Sequence, residues 1–155
     1  MSKLESLIKA WDMGYFEQGE ALRDMPEEEL WTRANPRLLS VGELVAHIGY
    51  GELQWIGGVE DSPFADDRLQ YYPHTLNHPV QLPLSCAQLQ EEVERIHAAA
   101  KAKVLAADPD YDEPFSGDSE RTWGVRVAYM TFHVGYHTGQ IYSLRHAMGH
   151  ETENN

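Results

Sequence analysis

His133 and His137 carry the clearest chemical signal in the chain. Four residues apart in a segment with helical periodicity, they rise from adjacent turns of one face with Cβ atoms roughly 6 Å apart, close enough for both imidazoles to reach one metal ion. The same two residues could be core histidines, but a buried imidazole needs partners for both ring nitrogens, and two stacked together raise that demand. Two other H-x-x-x-H pairs compete. His74 and His78 are bracketed by Pro73 and Pro79, which argue against a helix and so against a shared face. His146 lies nine residues past His137, on roughly the opposite side of the helix, and His150 follows Gly149, a helix-stop residue. A third imidazole comes from elsewhere: His47, three past Leu44 and four before Gly51, points inward from its own helix. Alone it reads as a satisfied core residue; beside the pair it supplies the third ligand the pair lacks.

These histidines need rigid elements to hold them. Trp123, Val127, Met130, Val134, His137, Ile141, Leu144 and Met148 recur at three- and four-residue steps, which predicts one long helix capped by Thr122. Ser40-Val-Gly-Glu43 is a capping box that opens the His47 helix, and Gly57-Gly58 ends it. Leu4, Leu7, Ile8, Trp11, Tyr15 and Leu22 mark one face of an earlier helix over residues 2–23. Ser85-Cys-Ala-Gln88 opens a further one running to about Ala107, with Leu89, Val93, Ile96, Ala100 and Val104 inward. Cys86 in its first turn reads as a small core residue, with a reactive thiol as the alternative. Asp24 to Leu39 reads as a loop with one helical turn, in which Trp31 plugs the end of the core or stacks on a ligand. Residues 58–84 carry Pro63, Pro73, Pro79 and Pro83 and no helical period, so they form a long connection that crosses the helices or lines a site. Tyr71 and Tyr72 there either anchor the loop or face a pocket. Residues 108–118 are acidic and turn-rich.

Composition narrows the function. Twelve Lys and Arg against twenty-five Asp and Glu leave a formal net charge of −13, which repels phosphate backbones and anionic membrane surfaces, so neither nucleic acid nor membrane is an expected partner. Cys86 is the only cysteine, which excludes an intramolecular disulfide and a thiolate metal cluster and fits a reducing, cytoplasmic setting. The opening residues hold no long apolar run, and no later segment has eighteen apolar residues, so the expectation is a chain neither exported nor membrane-spanning. On the last helix Tyr129, Phe132 and Tyr136 form a second aromatic side that one core cannot easily bury with the first; a two-fold homodimer would cover it.

Four amphipathic helices, one inward histidine on the second and H-x-x-x-H on the fourth make up an all-α chain that resembles the DinB/YfiT-like family. The resemblance lies in Ser40-Val-Gly-Glu-Leu-Val-Ala-His47-Ile and in His133-Val-Gly-Tyr-His137-Thr-Gly-Gln-Ile with Leu144-Arg145 beyond. It implies a four-helix bundle with a long connection between helices 2 and 3, as a single domain over residues 1–150 with a tail over 151–155. It also implies a homodimer and one divalent ion, nickel or zinc, on His47, His133 and His137. The activities it implies are those of a thiol-dependent S-transferase or a metal-dependent hydrolase acting on a small-molecule substrate, with a low-molecular-weight thiol as possible co-reactant; the alternative is a non-catalytic bundle that binds a small molecule or protein. Thr138 departs from the pattern, since many relatives carry arginine there, which puts any anion contact by that arginine in doubt. Three imidazoles leave open positions on the ion for water, thiol or substrate. His133-Val-Gly-Tyr-His137 lacks the glutamate of H-E-x-x-H, which argues against a peptidase. Glu52 and Gln140 either orient water or a ligand imidazole, or are a surface glutamate and a packing glutamine. The remaining histidines fall in loops or on the opposite side, leaving no fourth protein ligand.

Overall fold

A computed structural model describes residues 3–153. The chain is mostly helical, in the order α1 (Glu5–Leu22), α2 (Val41–Trp55), a 3₁₀ turn (Asp67–Leu69), α3 (Tyr72–Asn77), α4 (Cys86–Ala107), β1 (Pro114–Phe115), β2 (Asp118–Thr122) and α5 (Trp123–Ala147). The four long helices close around one core: α1 packs on α4 and α5, and α2 packs on the same two. Ile8, Trp11, Tyr15, Ala21 and Leu22 from α1 meet Leu44, Val45 and Ile48 from α2, Leu89, Val93 and Ile96 from α4, and Val127, Met130, Val134 and Ile141 from α5. These are the faces that the three- and four-residue periods mark. Helices α1 and α5 approach closely at Gly14, where a Cβ would stand 2.5 Å from Val134 Cγ1. Among the described residues no helix is long and apolar enough to cross a membrane.

The caps are those the sequence specifies. Ser40 and Ser85 each accept from the backbone N–H three residues on, and Glu43 and Gln88 accept from the cap N–H in return. Thr122 caps α5 by accepting from Val125 N. At the other end of the core the buried Arg145 donates to the carbonyls of Ala21 at 2.9 Å and Arg23 at 2.7 Å, satisfying the C-terminal end of α1 with a side chain from α5. Trp31 packs on Gly42, where a Cβ would come within 2.6 Å of its ring, so it does cover the start of α2.

Two readings of the connecting segments need correction. Residues 72–77 form the short helix α3, with Pro73 in its first turn, where a missing N–H leaves no helical bond unmade. The connection therefore has helical turns of its own, and His74 and His78 do come together, with ring centroids 4.7 Å apart. The acidic stretch after α4 contains a two-stranded antiparallel hairpin. Ser116 and Gly117 turn it with φ of 52° and 81°, the backbone that a tight hairpin turn requires. Phe115 folds back onto Trp123 and the Arg126 guanidinium, docking the hairpin on the start of α5.

Arg33 and Glu43 hold the connection down onto α2. The Glu43 carboxylate, 2% exposed, takes a bidentate pair from Arg33 at 2.6 and 2.8 Å and a third hydrogen bond from Val80 N at 3.1 Å. Arg33 also donates to the carbonyls of Thr75 and Leu76, both at 2.9 Å. Burial alone would raise the Glu43 carboxyl; the donors from Arg33, Ser40 and Val80 outweigh it and hold the group below its usual range.

Candidate metal centre

His133 and His137 stand one turn apart on α5 with ring centroids 4.6 Å apart, and His47 enters from α2 at 5.0 Å from the first and 4.7 Å from the second. One nitrogen of each lies within 4.8 Å of one from the others, an arrangement that could hold one metal ion. The two Nε2 atoms of His47 and His133 are 3.1 Å apart. Two nitrogens bound to the same ion at about 2.0–2.1 Å would stand roughly 3 Å apart, so the spacing fits a shared ion.

The Nδ1 atoms of His47 and His137 are held in a way that frees their Nε2 atoms. His47 Nδ1 bonds the Leu69 carbonyl at the end of the 3₁₀ turn, and His137 Nδ1 lies 2.6 Å from Gln140 Oε1, one turn further along α5. Each acceptor takes an Nδ1–H and so leaves the Nε2 lone pair to face its neighbours, the usual support of a metal-binding imidazole. Gly51 supplies space: a Cβ there would fall 2.7 Å from His133 Cε1, so the glycine lets His133 lie directly against α2. Tyr129 stacks over His133 and Tyr136 meets His137 edge-on, at 5.9 and 5.0 Å between centroids.

All three imidazoles are kept neutral. Burial lowers His47, against the Leu69 carbonyl, which raises it. Burial and then the neighbouring His137 and His47 push His133 down to about 3, and burial with His47 brings His137 down to about 4, against the Gln140 contact. At neutral pH none needs to lose a proton before it can act as a donor.

Two cavities reach this cluster. The larger, about 660 Å³, runs along α5 from His47 and His137 and is walled by Leu38, Leu39, Leu44, Leu144 and Ala147. The smaller, about 390 Å³, touches all three histidines and is walled by Tyr50, Gln54, Trp55, Gln70, Tyr71 and Tyr129. Tyr72 lines both, and its hydroxyl donates to the Arg37 carbonyl. Tyr71 and Tyr72 thus face pockets, and Tyr72 is at the same time the anchor that the other reading describes.

A sequence profile of the DinB superfamily matches residues 18–141, a span that includes all three histidines. The chain belongs to the DinB superfamily. No curated protein and no solved structure gives a significant match. The three histidines that the resemblance implies are the ones that cluster here, in an arrangement that could hold a metal ion.

Other candidates fall elsewhere. Glu52, 0% exposed, is neither a surface residue nor a partner of the three histidines: it turns toward α1 and α4. There it accepts from the Tyr15 hydroxyl and faces His97 Nδ1 at 3.0 Å, while His97 Nε2 meets Asp12 Oδ1 at 3.0 Å. His97 therefore lies in the core of α4, not in a loop or on an outer side, and sequence reasoning missed it. Both its nitrogens are engaged by carboxylates, which keeps it out of the metal cluster. Burial raises the Glu52 carboxyl, against the His97 contact, whereas Lys101 and His97 overcome burial to lower Asp12. Gln140 does hold one imidazole of the cluster, that of His137. Cys86 is half-buried, and burial with the Glu27 carboxylate nearby pushes its thiol up to about 11, so it is no nucleophile at neutral pH. His146 is exposed, and His150 bonds Glu29 at 2.8 Å, away from the cluster. Thr138 is buried with its hydroxyl on the Val134 carbonyl, so it takes no part in the site.

Proposed function

We propose that the chain is a divalent-metal-dependent enzyme of the DinB type that transfers a small electrophile to a low-molecular-weight thiol. The observation that carries this is the meeting of two cavities at one histidine cluster, since a transfer needs two reactants side by side, while hydrolysis needs one and a water. Both volumes lie within or near the range of small-molecule sites. A divalent ion on His47, His133 and His137, nickel or zinc by its nitrogen donors, would supply open positions and lower the pKa of a bound thiol. The chain's own residues would do the rest. Leu69 and Gln140 aim the imidazoles, Tyr129 and Tyr136 wall the cluster, and Tyr71 and Tyr72 sit at the rim. Among the described residues no carboxylate lines either cavity, so no carboxylate base is at hand for water; a thiol, with a pKa of about 8.5 when free, needs that help least.

The test compares wild type and His137→Ala, each supplied with nickel or zinc, across thiol conjugations and across ester and amide hydrolyses. Conjugation in the wild type and a loss of about a hundredfold or more in the variant are expected. Equal rates in both would remove the ion from the mechanism, and hydrolysis without thiol would make the enzyme a hydrolase.

We also read the four long helices as the family's bundle, assembled as a two-fold pair. Tyr129, Phe132 and Tyr136 are 39%, 62% and 54% exposed on α5, and this aromatic face would be covered by a second copy. Light scattering should give twice the 17.6 kDa chain mass; a mass near 17.6 kDa across micromolar concentrations would oppose the pairing.

A further inference from the structure

In a chain with twelve Lys and Arg and twenty-five Asp and Glu, no Lys, Arg, Asp or Glu among the described residues lines either cavity at the histidine cluster. In the larger one three of the polar groups are already engaged. Gln140 Oε1 is held by His137, the Ser143 hydroxyl donates to the Gly139 carbonyl at 3.0 Å, and the Tyr72 hydroxyl donates to Arg37. Position 138, the one place on α5 where a cation could have followed the second histidine, is a threonine turned into the core with its hydroxyl 2.7 Å from the Val134 carbonyl. An anionic group placed against the walls away from the histidines would lose hydration and meet no cationic side chain in return. It would also approach against a net charge of −13.

We infer that the cavity walled by Leu38, Leu39, Leu44, Leu144 and Ala147 takes an uncharged, apolar alkyl or aryl group of the substrate, whose reacting end lies at the histidine cluster. This rests on the metal-centre reading above and adds to it the chemical class of the substrate. Gly139 keeps the cavity open. It lines the wall, and a Cβ placed on it meets nothing within 4 Å, so a larger side chain there would start out into open space at that wall. Gly139→Leu also exchanges a poor helix former for a good one, so the variant should fold at least as well as the wild type.

The test holds the metal-binding head constant and changes the tail. Cobalt-loaded protein is titrated with acetohydroxamate, 4-butylbenzohydroxamate and 4-carboxybenzohydroxamate while the cobalt absorption is followed. The butylphenyl compound should bind about tenfold or more tighter than acetohydroxamate, as burial of its tail requires, and the carboxylated one no tighter than acetohydroxamate. In Gly139→Leu the advantage of the butylphenyl tail should disappear while acetohydroxamate binds as before. Equal or tighter binding of the carboxylated compound, or an advantage that survives Gly139→Leu, overturns this inference alone. Failure of every hydroxamate to perturb the cobalt spectrum overturns the metal reading and this inference with it.

Discussion

Replacing His47 by alanine is expected to remove about two thirds or more of the rise in melting temperature that nickel or zinc gives the wild-type chain over chelated protein. Three neutral imidazoles, two of them with Nδ1 partners in place, would bind an ion in the folded state and have no such arrangement when unfolded, so binding free energy would add to folding free energy. With free metal at about a thousand times its dissociation constant, the gain is about 4 kcal/mol, or about 10 °C for a chain of this size. His47→Ala removes the only donor from α2 and leaves two on α5, which should weaken binding by about a hundredfold or more. A differential scan with and without chelator reads this directly, and an undiminished metal-induced shift in the variant would contradict it.

The largest purely structural effect should come from Glu43→Ala. The carboxylate is buried and answers Arg33, Ser40 N and Val80 N at once, so its loss leaves a guanidinium with 15% side-chain exposure and two backbone donors without their acceptor. Removing one partner of such a pair costs about 3–5 kcal/mol, most of it from the charge left behind. The double change Arg33→Met with Glu43→Leu should therefore cost less than Glu43→Ala alone. Because the folded pKa of Glu43 lies below 4.5, its contribution is fully present above about pH 4.5 and is lost as pH falls through the lower folded value. Denaturant titrations of the three chains at pH 7 test this; an unchanged midpoint for Glu43→Ala would show that the clasp contributes nothing. The same clasp ties down the segment that carries Leu69, so metal binding should weaken in this variant as well.

The parts of this molecule that could be read from its sequence are those whose signals are local. Capping boxes at Ser40 and Ser85, the Thr122 cap and the apolar periods of the four long helices are written within single turns of chain. They also placed His47, His133 and His137 on inward faces, which was enough to bring the three together. What escaped was set by contacts across the fold. His97 has no histidine four residues away to draw attention to it, and its partners Glu52 and Asp12 are 45 and 85 residues distant. The Leu69 carbonyl that fixes His47 comes from a segment whose prolines suggested only a loop, although Pro73 sits where a helix accepts it. The hairpin at 114–122 is too short and too polar to show an alternating pattern; the Ser116-Gly117 turn was its one visible sign.

The central claim is that His47, His133 and His137 jointly hold one divalent ion, and metal analysis of natively purified protein tests it most directly. The wild type should carry one equivalent of metal per chain, and each of the three single alanine variants, confirmed to be folded by circular dichroism, less than about a tenth of that. Full retention of metal by His47→Ala would contradict the assignment.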